Sequence, residues 1–387
     1  MLAVLADAVY GRAVASGVRE YAAKHAPHWL FYFEGSCSRA TVQAGLRLAA
    51  KTWHAQGFIG QLIHGDLPAI IASAGVPAVN VSSSKPSNLP SVLPDEDAIG
   101  RMAAQYFLER GFRQLAFVGR SGVVDATERG TAFEAAAMEA GCPCHLLRPD
   151  PSGDRTWNEF RRMATWLRNL PRPVGVFAGD DRRGRDVLFA CNTLGLRVPE
   201  EVAVLGADDD EFVCGMCVPP LSSVIIPAHA IGYRAAELLD RLLRGAAPVA
   251  SPLLIAPSGI ASRQSTDVVA VDDRNMADAL RYIHAQAHRP ITVHDVLKAA
   301  PQSRRLLELR FRQVLGRTPK EEIRRVHLER AKSLLAQTSL KIQNLAAESG
   351  FRHYSFFVRR FRAYTGMTPT AFRNQFGGVR GRRKPAS

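Results

Sequence analysis

The sequence predicts a two-lobed α/β protein, each lobe a parallel sheet with helices on both faces, followed by an all-α domain holding two helix-turn-helix units. Three observations predict it. Over the first 265 of 387 residues, short apolar runs alternate with amphipathic helical stretches, the pattern of parallel strands joined by crossover helices. From Met276 onward only helical periodicity remains. Charge divides at the same place: Met276–Ser387 carries 23 Lys and Arg against 7 Asp and Glu, while the preceding residues hold 27 and 29. A formal charge of +14 that sits entirely in the last third of a chain marks a nucleic-acid module joined to a near-neutral partner domain.

The elements follow in order. Leu2–Leu5 reads as a strand, and Val14, Val18 and Tyr21 then share one helix face at i, i+4, i+7. Leu30–Phe33, Phe58-Ile59 and Ala78–Val81 are the next short strands. A helix from about Asp97 to Arg110 stops at Gly111, a C-cap residue. Leu115–Val118 follows as a strand, then a helix over Thr127–Ala140 ending at Gly141. The cycle repeats with Val174–Ala178, a helix over Asp181–Leu194 ending at Gly195, and Val202–Leu205. Two lobes suit 265 residues better than one, with a ligand at the carboxyl ends of the strands, in the crevice between them. Ser258–Arg274 holds the last strand and a polar hinge. The domains expected are therefore 1–265 for effector sensing and dimerisation, 266–275 as linker, 276–376 for DNA binding, and 377–387 as a basic disordered tail.

In the helical part, Ala279, Tyr282 and Ile283 mark an apolar face, and Thr292 caps a helix carrying Val293, Val296 and Leu297. Ser303 is the expected N-cap of a helix over Arg304–Leu315 that ends at Gly316. Thr318-Pro319 opens a long helix through Leu335. Ile342, Leu345 and Ala346 then precede Ser349-Gly350-Phe351 and a basic helix near His353–Tyr364. Phe356, Phe357 and Phe361 fall at core spacing on that helix. This leaves Arg352, His353, Tyr354, Ser355, Val358, Arg359 and Arg362 for its outer face. Ser303 and Ser355 are read as matching positions of the two units, 52 residues apart.

Several function classes are excluded or weakened. Six cysteines show no disulfide framework, and Cys214-Gly-Met-Cys217 has no second CxxC or HxxxH beside it, so no metal site is expected. No run of 18 apolar residues occurs, so no membrane partner is expected. Asp7 interrupts the apolar start, which makes a poor signal peptide and points to the cytoplasm, with nucleoid association. A DNA-repair enzyme using a reactive cysteine is the competing class. It lacks support, because no nucleophile elbow, P-loop or HExxH appears, and of the six cysteines only Cys144 has a histidine, His145, beside it in the chain. No catalytic residue and no cofactor is assigned.

Two resemblances sharpen the reading. The run GVFAGDDRRGRDVLFACNTLGLRVPEEVAVLGADDDEF, followed by PPLSSV at Pro219–Val224 and preceded by ATERGTAFEAAAMEAG at Ala126–Gly141, resembles the effector domains of the lac-repressor family. Those domains share the fold of periplasmic sugar-binding proteins, so the resemblance implies a periplasmic-binding-protein-like domain for a small sugar. Carboxylates and guanidinium forks take and give paired hydrogen bonds to vicinal hydroxyls. By resemblance Asp95, Arg129, Asp180 and Asp208 fall at the family's ligand positions, with Asn usual where Asp180 stands. Asp7 has the same chemistry at a strand end, and Tyr10 stands at the opening of the first helix. Arg182, Arg183 and Arg185 are expected as surface charges.

The second resemblance lies in Arg330-Ala331 with Leu334-Leu335, Ile342-x-x-Leu345-Ala346-x-x-x-Gly350-Phe351, and Phe356-Phe357-x-Arg359-x-Phe361-Arg362-x-x-x-Gly366-x-Thr368-Pro369-x-x-Phe372-Arg373. It is similar to the AraC-type signature, except that Ala300-Pro301-Gln302 replaces the Gly-containing turn of the first unit. The resemblance implies two recognition helices reading successive major grooves about 10 bp apart. Ser303, Arg304 and Arg305 would contact DNA from the first, and His353, Tyr354, Ser355, Arg359 and Arg362 from the second. The order of domains resembles that of the xylose operon activators. Double-stranded DNA half-sites, a pentose, a second copy in a homodimer and RNA polymerase are the partners implied.

Overall fold

A computed structural model describes residues 2–5, 8–34, 39–62, 67–83, 88–119, 124–147, 157–248, 251–267 and 274–376. In chain order the first elements are β1 (Leu2–Leu5), α1 (Ala8–His25), β2 (Phe31–Glu34), α2 (Arg39–Lys51), β3 (Gly57–Gly60), α3 (Leu67–Ala74), β4 (Ala78–Asn80) and β5 (Val92–Pro94). They are followed by α4 (Glu96–Leu108), β6 (Leu115–Val118), α5 (Val124–Glu139), β7 (Cys144–Leu147), α6 (Trp157–Asn169), β8 (Val174–Ala178), α7 (Asp181–Thr193), β9 (Val202–Ala207), α8 (Glu211–Met216) and β10 (Ser222–Ile225). Then come α9 (Ala228–Leu243), β11 (Leu253–Ile255), β12 (Gly259–Ala261) and a 3₁₀ turn at Gln264–Thr266. Seven helices complete the described residues: α10 (Arg274–Ala285), α11 (Val293–Ala299), α12 (Arg304–Leu315), α13 (Pro319–Gln337), α14 (Ile342–Glu348), α15 (Tyr354–Thr365) and α16 (Pro369–Phe376).

Two compact units result, one of Met1–Asp95 with Ile226–Pro257, the other of Glu96–Ile225 with Ser258–Ser387. The first contains a parallel sheet of order β2-β1-β3-β4 and a β11-β5 pair. The α1 face expected from periodicity is buried there, at Val14, Val18 and Tyr21. The Tyr21 hydroxyl donates to Asp240 at 2.8 Å, which joins α1 to α9.

The second unit holds the sheet β12-β10-β9-β8-β6-β7, parallel except for β12. Its inner strands β6, β8, β9 and β10 are buried on both faces, whereas the edge strand β7 is half-buried throughout, and residues of the inner strands alternate as the pleat requires. Ala116, Val118, Val174, Val176 and Ala178 join Met163, Leu167, Val187 and Cys191 of α6 and α7 in one cluster. Phe117 and Phe177 point the other way, to Phe133 of α5, which in turn meets Phe107 of α4. β6 pairs with β7 on one side and β8 on the other, so the connections diverge between β6 and β8. That divergence opens a crevice at the carboxyl ends of those strands.

The helical part belongs to the second unit and is built as a repeat. Leu307 and Phe311 of α12 and Phe357 and Phe361 of α15 are the fully buried anchors. Gly316 and Gly366 end the two helices with φ of 69° and 75°, each backbone N–H returning to Arg312 or Arg362. These pairs fix the offset at 50, which corrects the matching of Ser303 with Ser355. Ser303 corresponds to His353, the residue before each helix, because the buried apolar positions set the register and the capping residues follow it. α13 is the shared spine: Ile323 and Val326 enter the core of the first helix-turn-helix, and Leu328, Ala331 and Leu335 that of the second. A capping box of Thr318 and Glu321 starts it with Pro319 at its first position. The expected linker falls largely, and the expected tail wholly, outside the described residues.

Candidate functional site

Arginines close the carboxyl ends of β6 and β8. Arg129, on α5, is buried at 4% exposure and donates to the Gly179 carbonyl at 2.7 Å. It also pairs with Glu96, the first residue of α4, and lies 3.8 Å from Asp208. Arg183, on α7, donates to the Gly119 carbonyl at 3.1 Å and pairs with Glu159. A buried guanidinium needs such partners, because it cannot shed its charge. Arg183 is therefore not the surface charge expected of it: the helix turns it inward, and the Gly119 carbonyl at the sheet end and the Glu159 carboxylate supply its acceptors. Glu96 was not singled out in the sequence, although an acidic residue at the start of a helix is a signal of sorts.

Asp208 follows β9 with a φ of 111°, and Asp209 follows with 56°. Two successive non-glycine residues at positive φ are strained and persist only where the surroundings hold them. Those surroundings are visible. The Asp209 N–H donates to Ser223 Oγ at 3.0 Å, and its carboxylate pairs with Arg263 at 2.7 Å. Asp210 caps α8 through Phe212 and Val213. Held from behind, Asp208 presents a half-buried carboxylate beside Arg129. Asp180 sits at the end of β8 as the N-cap of α7, accepting from the Arg183 N–H at 2.7 Å. Asp181 is nearly fully buried, accepts from Ser223 Oγ at 2.6 Å and the Asp210 N–H at 2.7 Å, and burial pushes it up to about 7. It braces the strand-end loops.

In the first unit, Tyr10 lies on α1 and its hydroxyl donates to the Val81 carbonyl beyond β4 at 2.8 Å. Asp95 is half-buried after β5, its N–H donating to the Ile255 carbonyl at 3.0 Å. Asp7 lies outside the described residues. Of the expected effector residues, Arg129 and Asp208 are thus brought together, with Asp180 beside the Gly179 carbonyl that Arg129 binds.

Cys214 and Cys217 are buried, and burial raises both thiols, with Asp181 adding to the effect. Among the described residues no cluster of three or more His, Cys, Asp or Glu could hold a metal ion, and no helix is long and apolar enough to cross a membrane.

The DNA-reading candidates lie on α12 and α15. Ser303 caps α12 through the Leu306 N–H at 3.2 Å, as expected, while Arg304 and Arg305 are exposed and Arg304 pairs with Glu308 at 2.9 Å. On α15, Tyr354, Ser355, Arg359 and Arg362 are exposed, as is His353, which makes no side-chain cap bond. Phe357 and Phe361 went to the core as their spacing required, with Phe356 packed partly against it.

α4 reaches from the strand-end cluster to this helical module. Just past its end, Glu109 pairs with Arg325 of α13 at 2.7 Å, and the Glu109 carbonyl accepts from Arg317 at 3.2 Å. Glu322, fully buried, binds Arg317 at 2.5 Å and Arg325 at 2.7 Å. Those cations hold Glu322 well below the usual carboxylate range despite its burial. Arg110 is stacked over the Tyr106 ring at 3.3 Å, and the Tyr106 hydroxyl bonds Ser262 and Thr266.

A parallel α/β unit with a strained, polar strand-end cluster, joined to a duplicated helix-turn-helix, defines a DNA-binding transcription regulator with a periplasmic-binding-protein-like domain. Residues 104–266 match a periplasmic binding protein-like domain and residues 296–375 a helix-turn-helix domain. The xylose operon regulatory protein of Escherichia coli (strain K12) is 31% identical over 378 residues, 95% of each chain. Its counterpart from Haemophilus influenzae is 33% identical over 290 residues, 74% of this chain and 75% of that one. The chain belongs to the family of xylose operon regulatory proteins. The solved structure of a xylose-binding transcription activator is similar at a TM-score of 0.61 and 29% identity, covering 97% of this chain and 98% of that one.

Proposed function

We propose that this regulator answers to a small sugar, a pentose such as xylose, and activates a sugar catabolic operon. The names of its relatives support the sugar, and so does the chemistry of the cluster. Arg129, Asp180 and Asp208 at the strand ends of the second unit supply the carboxylates and guanidinium that hydroxyls need, and we assign Asp7, Tyr10 and Asp95 to the effector as well. We assign DNA contact to Ser303, Arg304, Arg305, His353, Tyr354, Ser355, Arg359 and Arg362, a homodimer as the working form, RNA polymerase as partner, and the cytoplasm, at the nucleoid, as the location. We divide the chain into an effector and dimerisation domain at 1–265, a linker at 266–275, a DNA-binding domain at 276–376 and a basic tail at 377–387.

One observation carries the regulatory part. Helix α4 begins at Glu96, which holds Arg129, and Glu109 directly after it holds Arg325 of the DNA-binding module. A sugar that binds one arrangement of the Arg129 cluster more tightly biases that helix, and with it the module.

The test is DNA binding by the full chain, followed by fluorescence anisotropy with duplexes selected from a random library, in xylose, arabinose, ribose, glucose and cellobiose. Affinity that changes with a pentose alone is expected, with a steep fall at higher salt. A response to no sugar overturns the effector assignment, and a response to a disaccharide alone moves it to another sugar class. Glu109→Gln is expected to keep sugar binding, read by thermal shift, while shrinking the sugar-dependent change in DNA affinity severalfold. An undiminished response in that variant removes α4 from the path.

A further inference from the structure

The 50-residue repeat places Leu309 of α12 where α15 carries Arg359, and Leu306 where α15 carries Phe356. Leu309 is 51% exposed and Leu306 37%. They stand three residues apart on the outer side of the helix, opposite the buried anchors Leu307 and Phe311. A single exposed leucine needs no explanation. Two of them together, on the first half of a helix whose twin carries Arg359 and the half-buried Phe356 at those positions, do. Arg304 is turned onto Glu308, and the exposed Arg305, Arg312 and Gln313 flank the leucines without covering them.

The major groove offers one apolar group to such a surface, the C5 methyl of thymine. We infer that the first recognition helix reads thymine methyls through Leu309, with Leu306 beside it, whereas the second reads hydrogen-bonding edges through Arg359. The two half-sites of the operator then differ in kind. The half under α12 carries thymine at the position facing Leu309, and the half under α15 carries a hydrogen-bond acceptor, guanine for preference, facing Arg359. The inference rests on α12 facing DNA as assigned above.

A duplex selected from a random library by the full chain is remade with deoxyuridine replacing each thymine in turn, which removes only the methyl. One or two replacements in a single half-site are expected to weaken binding about three- to fourfold, the worth of one buried methyl group. The same replacements are expected to have no effect on Leu309→Ala, and Leu309→Arg is expected to select guanine at that position. Because Leu309 is exposed, both variants should keep the thermal midpoint of the parent. Deoxyuridine without effect anywhere, or a loss that persists in Leu309→Ala, overturns the inference. Arg305→Ala separates the two failures: if it weakens binding, α12 faces DNA and only the leucine assignment falls; if it does not, the DNA-facing assignment falls as well.

Discussion

The two helix-turn-helix units are built on one plan and differ where they meet other things. Their second helices match residue for residue at an offset of 50, down to Gly316 and Gly366 at their ends. Their turns do not match. Four residues, 300–303, separate α11 from α12, and Ala300 has an ordinary φ of −130°. Five residues, 349–353, separate α14 from α15, and Gly350 sits at φ 77°. After the second helix, Arg317 of the first unit binds Glu322 and the Glu109 carbonyl, whereas its counterpart Met367 packs into its own core. The comparison teaches that the ion-paired mooring to the end of α4 is made through the first unit, whereas the second helix of the second unit keeps a cationic face.

The largest expected effect breaks the second turn and spares the first. A Cβ on Gly350 would stand 2.5 Å from His327 Nε2 and 2.7 Å from the Arg289 carbonyl, at a φ that side chains resist. Gly350→Ala should cost about 3–4 kcal/mol in chemical denaturation, strain and overpacking together. Ala300→Gly in the first turn should cost less than about 1 kcal/mol. Equal costs would mean the two turns are not different in kind.

The next effect is a pH dependence. Burial pushes His327 of α13 down to about 4, with Arg330 lowering it further and the Arg289 carbonyl acting the other way. An unfolded histidine titrates near ~6.5, so as pH falls the unfolded chain takes up the proton first. Stability present above that value is lost between about pH 6.5 and 4, amounting to ~3 kcal/mol. Melts of the parent and His327→Gln across that window should converge as pH falls; parallel curves would show that His327 is not the group responsible.

The smallest effect concerns the caps. Ser303 accepts from the Leu306 N–H and His353 accepts from none. Ser303→Ala should destabilise by about 1 kcal/mol and His353→Ser should stabilise by a similar amount. A thermal shift of the same sign for both would contradict the assigned register.

Much of this was readable in advance. The strand–helix alternation, the burial of Val14, Val18 and Tyr21, and the limits of α12 follow from local periodicity and capping, which act within a few residues. The second half of the charge asymmetry was readable for the same reason. What went astray were matters of register and inward turning. Ser303 and Ser355 look alike as letters, but the buried pairs Leu307/Phe357 and Phe311/Phe361 set the offset. Arg183 stands in a run of arginines, and the carbonyl of Gly119, 64 positions away in the chain, together with the carboxylate of Glu159, makes its burial tolerable.

The sequence by itself determined the class of each domain, their order, and the limits of the basic second helix in each helix-turn-helix unit, since hydrophobic period, caps and net charge are properties of short stretches. Only the tertiary structure decided that Arg129 is held by Glu96, that Asp208 stands strained beside it, and that Glu109 and Arg325 join α4 to the DNA-binding module. Each of those pairs brings together charges from distant parts of the chain. Their energies come from burial and geometry that exist only once the sheet and its helices have closed around them.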